Sequence, residues 1–322
     1  MGGWAGPAWG EPSGAAASPA RLRRRSSAPW ASYRADGGRS DQFLVLAASV
    51  SGVSHRLAGR RGEDSFGWAL PEPGRLGLVV ADGVGSAGRG GEGAELAVDA
   101  ACRYLTGGAE HGWDLASCWS AISEANRALY EAGGEAPAGL ATTIVVALVR
   151  AGAGEAEVAL GRVGDSSAFV LSPEGEWQEL FGASGGAGAG PAQAAGTGAA
   201  NDADGPMLVT ATASLPLASM GPAEGGGPRG LAGAEAGPGG GPVEMASAAL
   251  GRGAALALVT DGVAQPLRDG PTTVAPRLAE ALRAGGEGGL GPLGLAYALD
   301  FSRRGAHDDR TVLVAWPLAR QG

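Results

Sequence analysis

The chain has 322 residues, enough for one or two domains, but 60 are glycine and 20 are proline, so low-complexity segments occupy part of that length. Its formal net charge of −9 argues against a general nucleic-acid binder, which needs a basic surface, and fits an acidic protein or one whose carboxylates hold cations. All 24 basic residues are arginine, which excludes chemistry that needs a lysine: the phosphate lysine of a P-loop, the strand lysine of a protein kinase and the Schiff base of a pyridoxal enzyme.

Residues 1–41 are rich in Gly, Ala, Pro and Ser around one basic cluster, "RLRRR". They bury too little apolar surface to offset the entropy of ordering, so a disordered tail is expected. Structure begins with the strand-like run "FLVLAASVSG" from residue 43, and "LGLVVA" (76–81) is a second strand, short and fully apolar as buried strands are. Ala94, Ala97, Val98, Ala101 and Leu105 recur at helical spacing, and Leu115, Trp119, Ile122 and Leu129 mark another helix with Asp114 as its N-cap. The runs 142–150, 155–164, 166–173 and 176–181 are short, β-branched and divided by turn residues, which predicts a meander of antiparallel strands.

Residues 182–250 are again Gly/Ala/Pro-rich and are expected to form a disordered insertion, with "MLVTATASLPLA" a short ordered island. The pattern Gly182-x-Ser184-x-Gly186 looks like a nucleophile elbow, but no helix follows it and glycine is abundant there, so chance explains it. Structure returns with "AALALVTDGV" (254–263), a strand ending at Asp261, then helical patterns at 273–284 and 292–303 and a last strand at 310–317. This order is not the strict βαβ alternation of a parallel sheet. It gives one folded domain over 42–320, interrupted at 182–250.

Cys102 and Cys118 both fall on helical patterns, with no CxxC and no Cys/His cluster. They read as buried small hydrophobes in a reducing compartment rather than zinc ligands. No apolar run approaches the ~18 residues of a membrane span, and no apolar core follows "RLRRR" as an export signal requires. A cytoplasmic protein without a membrane partner is expected.

The segment "LGLVVADGVGSAGRGGEGAELAV" contains Gly83-x-Gly85-x-x-Gly88 between an apolar run and an amphipathic one, the word order of a dinucleotide turn. Asp82 directly before the first glycine would repel a pyrophosphate, and no second strand follows the helix, so that reading fails. Acids recur instead at strand ends: Asp82 before a glycine, Asp261 before a glycine, Asp308 ahead of the last strand, and Glu63-Asp64 ahead of "SFGWAL". Each alone reads as a turn residue. Together, carboxylates converging on one end of a sheet would repel, and a hard divalent cation such as Mg²⁺ or Mn²⁺ resolves that. The Gly83 carbonyl is free to join such a site.

Six pieces, in order, resemble the metal-dependent type 2C serine/threonine protein phosphatases: "GVSHRLAGRRGEDSF", "VVADGVGSAGRGGEGAELAV", "ATTIVVALV", "GRVGDSSAFVL", "LALVTDGV" and "DDRTVLVA". The likeness runs from about residue 47 to 316, closest to a bacterial branch with "DGVGS" in place of "DGHGG". It implies an α+β fold, a four-layer αββα sandwich of two antiparallel sheets flanked by helices. It implies a centre of two Mn²⁺ or Mg²⁺ ions held by Asp64, Asp82, the Gly83 carbonyl, Asp261 and Asp308, with Glu63 beside it and Asp165 at a third, weaker position. Asp82, Asp261 and Asp308 would carry catalysis by a metal-activated water on phosphoserine or phosphothreonine, and Arg60, Arg61 or Arg56 would bind the phosphate. Phosphorylated proteins, substrates of serine/threonine kinases among them, would be the partners of a monomeric enzyme.

The chain departs from the family pattern at Val84, where many members carry a histidine, at Gly59, where the phosphate arginine usually stands, at Ser167 in "GDSS", and at Gln265. His55 and His307 are candidates to replace the acid, with a structural role the plainer reading. The departures leave two alternatives open: a catalytically degenerate binding or regulatory module, and a small-molecule phosphatase.

Overall fold

An apolar run without alternation makes a stable strand only where both faces are covered. The runs 76–81 and 144–149 are of this kind. The computed structural model describes residues 22–25, 32–84, 89–107, 112–133, 140–181, 209–210, 243–269, 274–286, 289–301 and 307–318. In it both runs lie inside a six-stranded sheet with the order β1 (Leu22–Arg25), β4 (Asp64–Glu72), β5 (Arg75–Asp82), β7 (Ile144–Arg150), β8 (Ala156–Val163), β12 (Glu244–Leu250). A second six-stranded sheet has the order β10 (Trp177–Glu179), β9 (Ser167–Leu171), β13 (Ala255–Val259), β14 (Arg310–Pro317), β3 (Phe43–Val50), β2 (Tyr33–Arg39). The short strands β6 (Ala141–Thr142) and β11 (Val209–Thr210) pair separately. All these pairings are antiparallel.

The side chains of each strand divide between two cores. Leu76, Leu78 and Val80 of β5 and Val145, Ala147 and Val149 of β7 point between the sheets, where they join Phe43, Val45, Leu313 and Ala315. Val79, Ala81, Ile144, Val146 and Leu148 point outward, into a core shared with α2 (Gly90–Gly107) and α3 (Leu115–Gly133). The second sheet does the same: Leu256 and Leu258 face inward, while Ala255, Ala257 and Val259 face α4 (Asp261–Arg268), α5 (Val274–Gly286) and α6 (Pro292–Leu299). The result is helices, sheet, sheet, helices, the αββα order that the resemblance implied. Both cysteines are buried on α2 and α3, and Asp114 caps α3, its Oδ1 accepting from the Ser117 N–H at 3.0 Å.

Four expectations need correction. The predicted meander is split: β7 and β8 pair in one sheet, β9 and β10 in the other. The chain changes sheet at Gly164, whose φ of 96° suits glycine and few other residues. Strands β1 and β2 lie before residue 42, inside the segment read as a disordered tail, and β2 pairs along β3 from Tyr33↔Val50 to Arg39↔Leu44. Strand β12 lies inside the segment read as the insertion and pairs with β8. Asp261 does not end a strand: β13 stops at Val259, and Asp261 opens α4, a helix of 8 residues with Pro266 inside it. The Gly182-x-Ser184-x-Gly186 pattern, and most of the presumed tail and insertion, lie outside the described residues.

Candidate metal centre

Antiparallel neighbours begin and end at a common rim, so acids at strand ends are brought together by the pairing itself. Asp64 opens β4 and Asp82 closes β5, and the two are register partners. In the other sheet, Asp261 follows β13 and Asp308 precedes β14, again on neighbouring strands. Asp165 sits in the turn where the chain passes from β8 to β9. Gly83 continues from Asp82 and bridges to Thr142, and a Cβ there would stand 2.2 Å from the Gly90 backbone. Only glycine lets the start of α2 come this close to the rim.

Asp64 is 1% exposed. Its Oδ2 accepts from the hydroxyls of Thr260 (2.8 Å) and Thr311 (2.7 Å), while its Oδ1 is buried without a hydrogen-bond partner. Burial first, and then the charge of Asp309, push this carboxyl well above the usual aspartate range, against the two threonine bonds. Asp82 is raised strongly as well, by burial and then by the charges of Asp64 and Asp261. Asp261 is pushed up to about 6 by burial and the neighbouring charge of Asp308, and its Oδ1 is likewise buried without a partner. Asp308 is exposed, its Oδ1 accepting from the Asp309 N–H at 2.9 Å; its charge and that of Asp165 both reach Asp261.

The structure therefore brings Asp64, Asp82 and Asp261 within electrostatic reach of one another on one rim, with Asp308 and Asp165 also in reach and the Gly83 backbone alongside. Among the described residues, no three His, Cys, Asp or Glu side chains already stand at metal-ligand spacing. The donor set fits a hard divalent cation. It consists of oxygens alone, it is crowded with acids, and two of its carboxylate oxygens are buried with nothing to bind.

Glu63 lies just outside this group. It is raised chiefly by burial, and its Oε1 is 2.6 Å from Arg60 and 3.7 Å from His55 Nε2. Arg60 and Arg61 do not stand free over the acids: Arg60 pairs with Glu63, and Arg61 with Glu95 at 3.3 Å. His55 Nδ1 is 2.9 Å from Asp309 Oδ1, the oxygen that also accepts from the Gly52 N–H at 2.5 Å. His55 is thus an anchor of the loop leading to Glu63, the structural role. Sequence reasoning missed Thr260 and Thr311 as supports of Asp64, although each is next to a feature it used: Thr260 precedes Asp261, and Thr311 sits in "DDRTVLVA". It also missed Arg34, which donates to the Asp64 carbonyl from β2.

Solved structures with this architecture include RsbX in complex with magnesium (14% identity, TM-score 0.50, covering 88% of this chain and 100% of that one). The catalytic domain of the serine/threonine protein phosphatase PstP in complex with two manganese ions aligns at 15% identity and TM-score 0.51, covering 86% of this chain and 99% of that one. A phosphatase from Toxoplasma gondii aligns at 12% identity and TM-score 0.52, covering 89% and 96%. At these identities the likeness shows a shared fold. No curated protein matches the sequence significantly. The family description that does match, over residues 51–293, is Protein phosphatase 2C, and this chain belongs to that family.

Proposed function

We propose that the chain is a divalent-metal-dependent phosphatase acting on phosphoserine and phosphothreonine in proteins, as a cytoplasmic monomer. The observation that supports this most is the rim of strand-end aspartates with two buried, unpartnered carboxylate oxygens, in a chain of this family. Asp64, Asp82, Asp261, Asp308 and the Gly83 carbonyl are the groups that would hold two Mn²⁺ or Mg²⁺ ions, with Glu63 and Asp165 at the margin. Bound there, such ions would acidify a water and neutralise charge on phosphoryl oxygens. The protein's own part is to pre-orient the acids. Thr260 and Thr311 fix one oxygen of Asp64 and leave the other for the cation. The β4–β5 register holds Asp64 opposite Asp82. Arg60, its side chain 53% exposed beside Glu63, is better placed than Arg61 to meet a phosphate.

The pairing of both arginines with acids favours a second reading, a module that retains the fold and binds phosphoproteins without turnover. One assay separates the two. Purified protein with Mn²⁺ is offered phosphothreonine peptides, an aryl phosphate and phosphosugars, with and without EDTA. Peptide hydrolysis that EDTA abolishes, and that falls at least 100-fold in Asp82→Asn and Asp261→Asn, is the expected result. Preference for phosphosugars would reassign the substrate class, and Mn²⁺ binding without hydrolysis would favour the binding module. Undiminished hydrolysis in EDTA would overturn the metal-dependent reading.

A further inference from the structure

Strand β4 is edged on one side by β5 and on the other by β1, but β1 covers only Gly67 to Leu70. At Asp64 that outer side has no strand among the described residues. The Glu63 carbonyl accepts from the Gly83 N–H at 3.1 Å, on the β5 side. Alternation along a strand then turns the Asp64 carbonyl outward, away from β5. A buried carbonyl without a donor costs about as much as a lost hydrogen bond. Here the donor is a side chain: the Arg34 guanidinium, 9% exposed, bonds the Asp64 carbonyl from the opposite sheet.

The guanidinium is itself held. Arg34 Nη2 also donates to Ser49 Oγ at 3.3 Å, and Nη1 is 4.0 Å from Glu95 Oε1, the oxygen that Arg61 shares at 3.3 Å. Arg34 is register partner to Ser49, and Ser49 to Thr311. A single row across β2, β3 and β14 therefore grips Asp64 twice, at its carbonyl through Arg34 and at its carboxylate through Thr311. Arg34 precedes the region 51–293 that matches the family.

We propose that Arg34 is a positioning residue of the metal centre: it supplies the donor that the Asp64 carbonyl accepts on its outer side, aims the free Oδ1 of that residue at the cation site, and so makes strand β2 part of the centre. The proposal rests on the reading of the aspartate rim as a divalent-cation site. Outer partners of metal ligands typically change affinity or activity by 10–100-fold when removed. The test is Mn²⁺ binding to the metal-stripped full chain, by calorimetry and by the spin-resonance signal of free Mn²⁺, alongside thermal melts of the same metal-free samples. Wild type, Asp82→Asn, Arg34→Met and Arg34→Lys are compared. Wild type should bind and Asp82→Asn should not; equal binding by the two would refute the cation site itself, a separate failure.

Given that control, Arg34→Met should raise the Mn²⁺ dissociation constant about 10-fold or more. Arg34→Lys should stay weakened, because it keeps the charge but loses the fork that reaches Asp64, Ser49 and Glu95 together. A lowered melting temperature with an unchanged dissociation constant would reduce Arg34 to a packing residue and overturn the proposal. Full recovery by Arg34→Lys would overturn it as well, leaving only a charge effect. If Arg34→Met does not fold, Arg34→Lys decides by the same readout.

Discussion

The two carboxylate oxygens of Asp64 have different tasks. Oδ2 is fixed by the Thr260 and Thr311 hydroxyls, and Oδ1 is left buried and open. Replacing Thr311 by valine removes one support at nearly constant volume. The Mn²⁺ dissociation constant should rise about 10-fold, and the Thr260→Val/Thr311→Val pair should lose more, as measured by calorimetry on metal-stripped protein. Unchanged binding in the double variant would mean that the carboxylate needs no orienting. The acids of this rim were legible as strand-end residues: Asp82 and Asp261 each precede a glycine after an apolar run, and Asp64 and Asp308 stand just ahead of strand-like runs. Their supports were not. A threonine or an arginine has no local pattern that says which distant carboxylate or carbonyl it will reach, and Arg34 acts on a residue 30 positions away.

Strands covered on both faces announced themselves as unbroken apolar runs, and helices α2 and α3 as recurring small and aliphatic residues on one face. Strand β2 carried no such signal. Its sequence "YRADGGR" is polar and glycine-containing, and its order comes from the ladder with β3. Helix α4 was hidden by Pro266 and by a length of 8 residues, too short to show a period. The division of the meander between two sheets was also invisible, since β7 to β9 each read as a strand and only Gly164 marks the crossing. Two predictions belong here. Asp114→Ala removes the cap of α3 and should lower stability by about 1 kcal/mol in urea denaturation of the metal-free protein. Leu313→Ala opens a hole between the sheets and should cost about 2–5 kcal/mol by the same measurement, several times the cap. Equal effects would contradict the central position of Leu313.

The whole molecule concentrates negative charge on one rim of an already acidic chain, and this sets its response to pH. Burial and the charge of Asp308 push Asp261 up to about 6 from an ordinary 3.8, and Asp64 and Asp82 are also raised well above that value, chiefly by burial and then by neighbouring carboxylates. An acid whose pKa rises on folding binds more protons when folded. Its contribution is most favourable below the unfolded value and is lost as pH climbs to the folded one. For Asp261 the window is about pH 4 to 6. EDTA-treated protein should therefore melt at a higher temperature at pH 5 than at pH 7. Saturating Mn²⁺ should reverse that order, because cations select ionised ligands. A metal-free protein more stable at pH 7 would speak against carboxylate crowding.

Asp64 and Asp82 belong to one layer of the sandwich, Asp261 and Asp308 to the other. Neither layer alone carries the complete donor set. Ions held at the proposed centre would have nowhere to stay if the two separate, so their escape would mark the moment the halves part. In a denaturant titration, release of bound Mn²⁺ into solution should coincide with loss of near-ultraviolet signal from Trp68, a tryptophan buried between the layers. Release well ahead of that loss would show a loosened rim on an intact body.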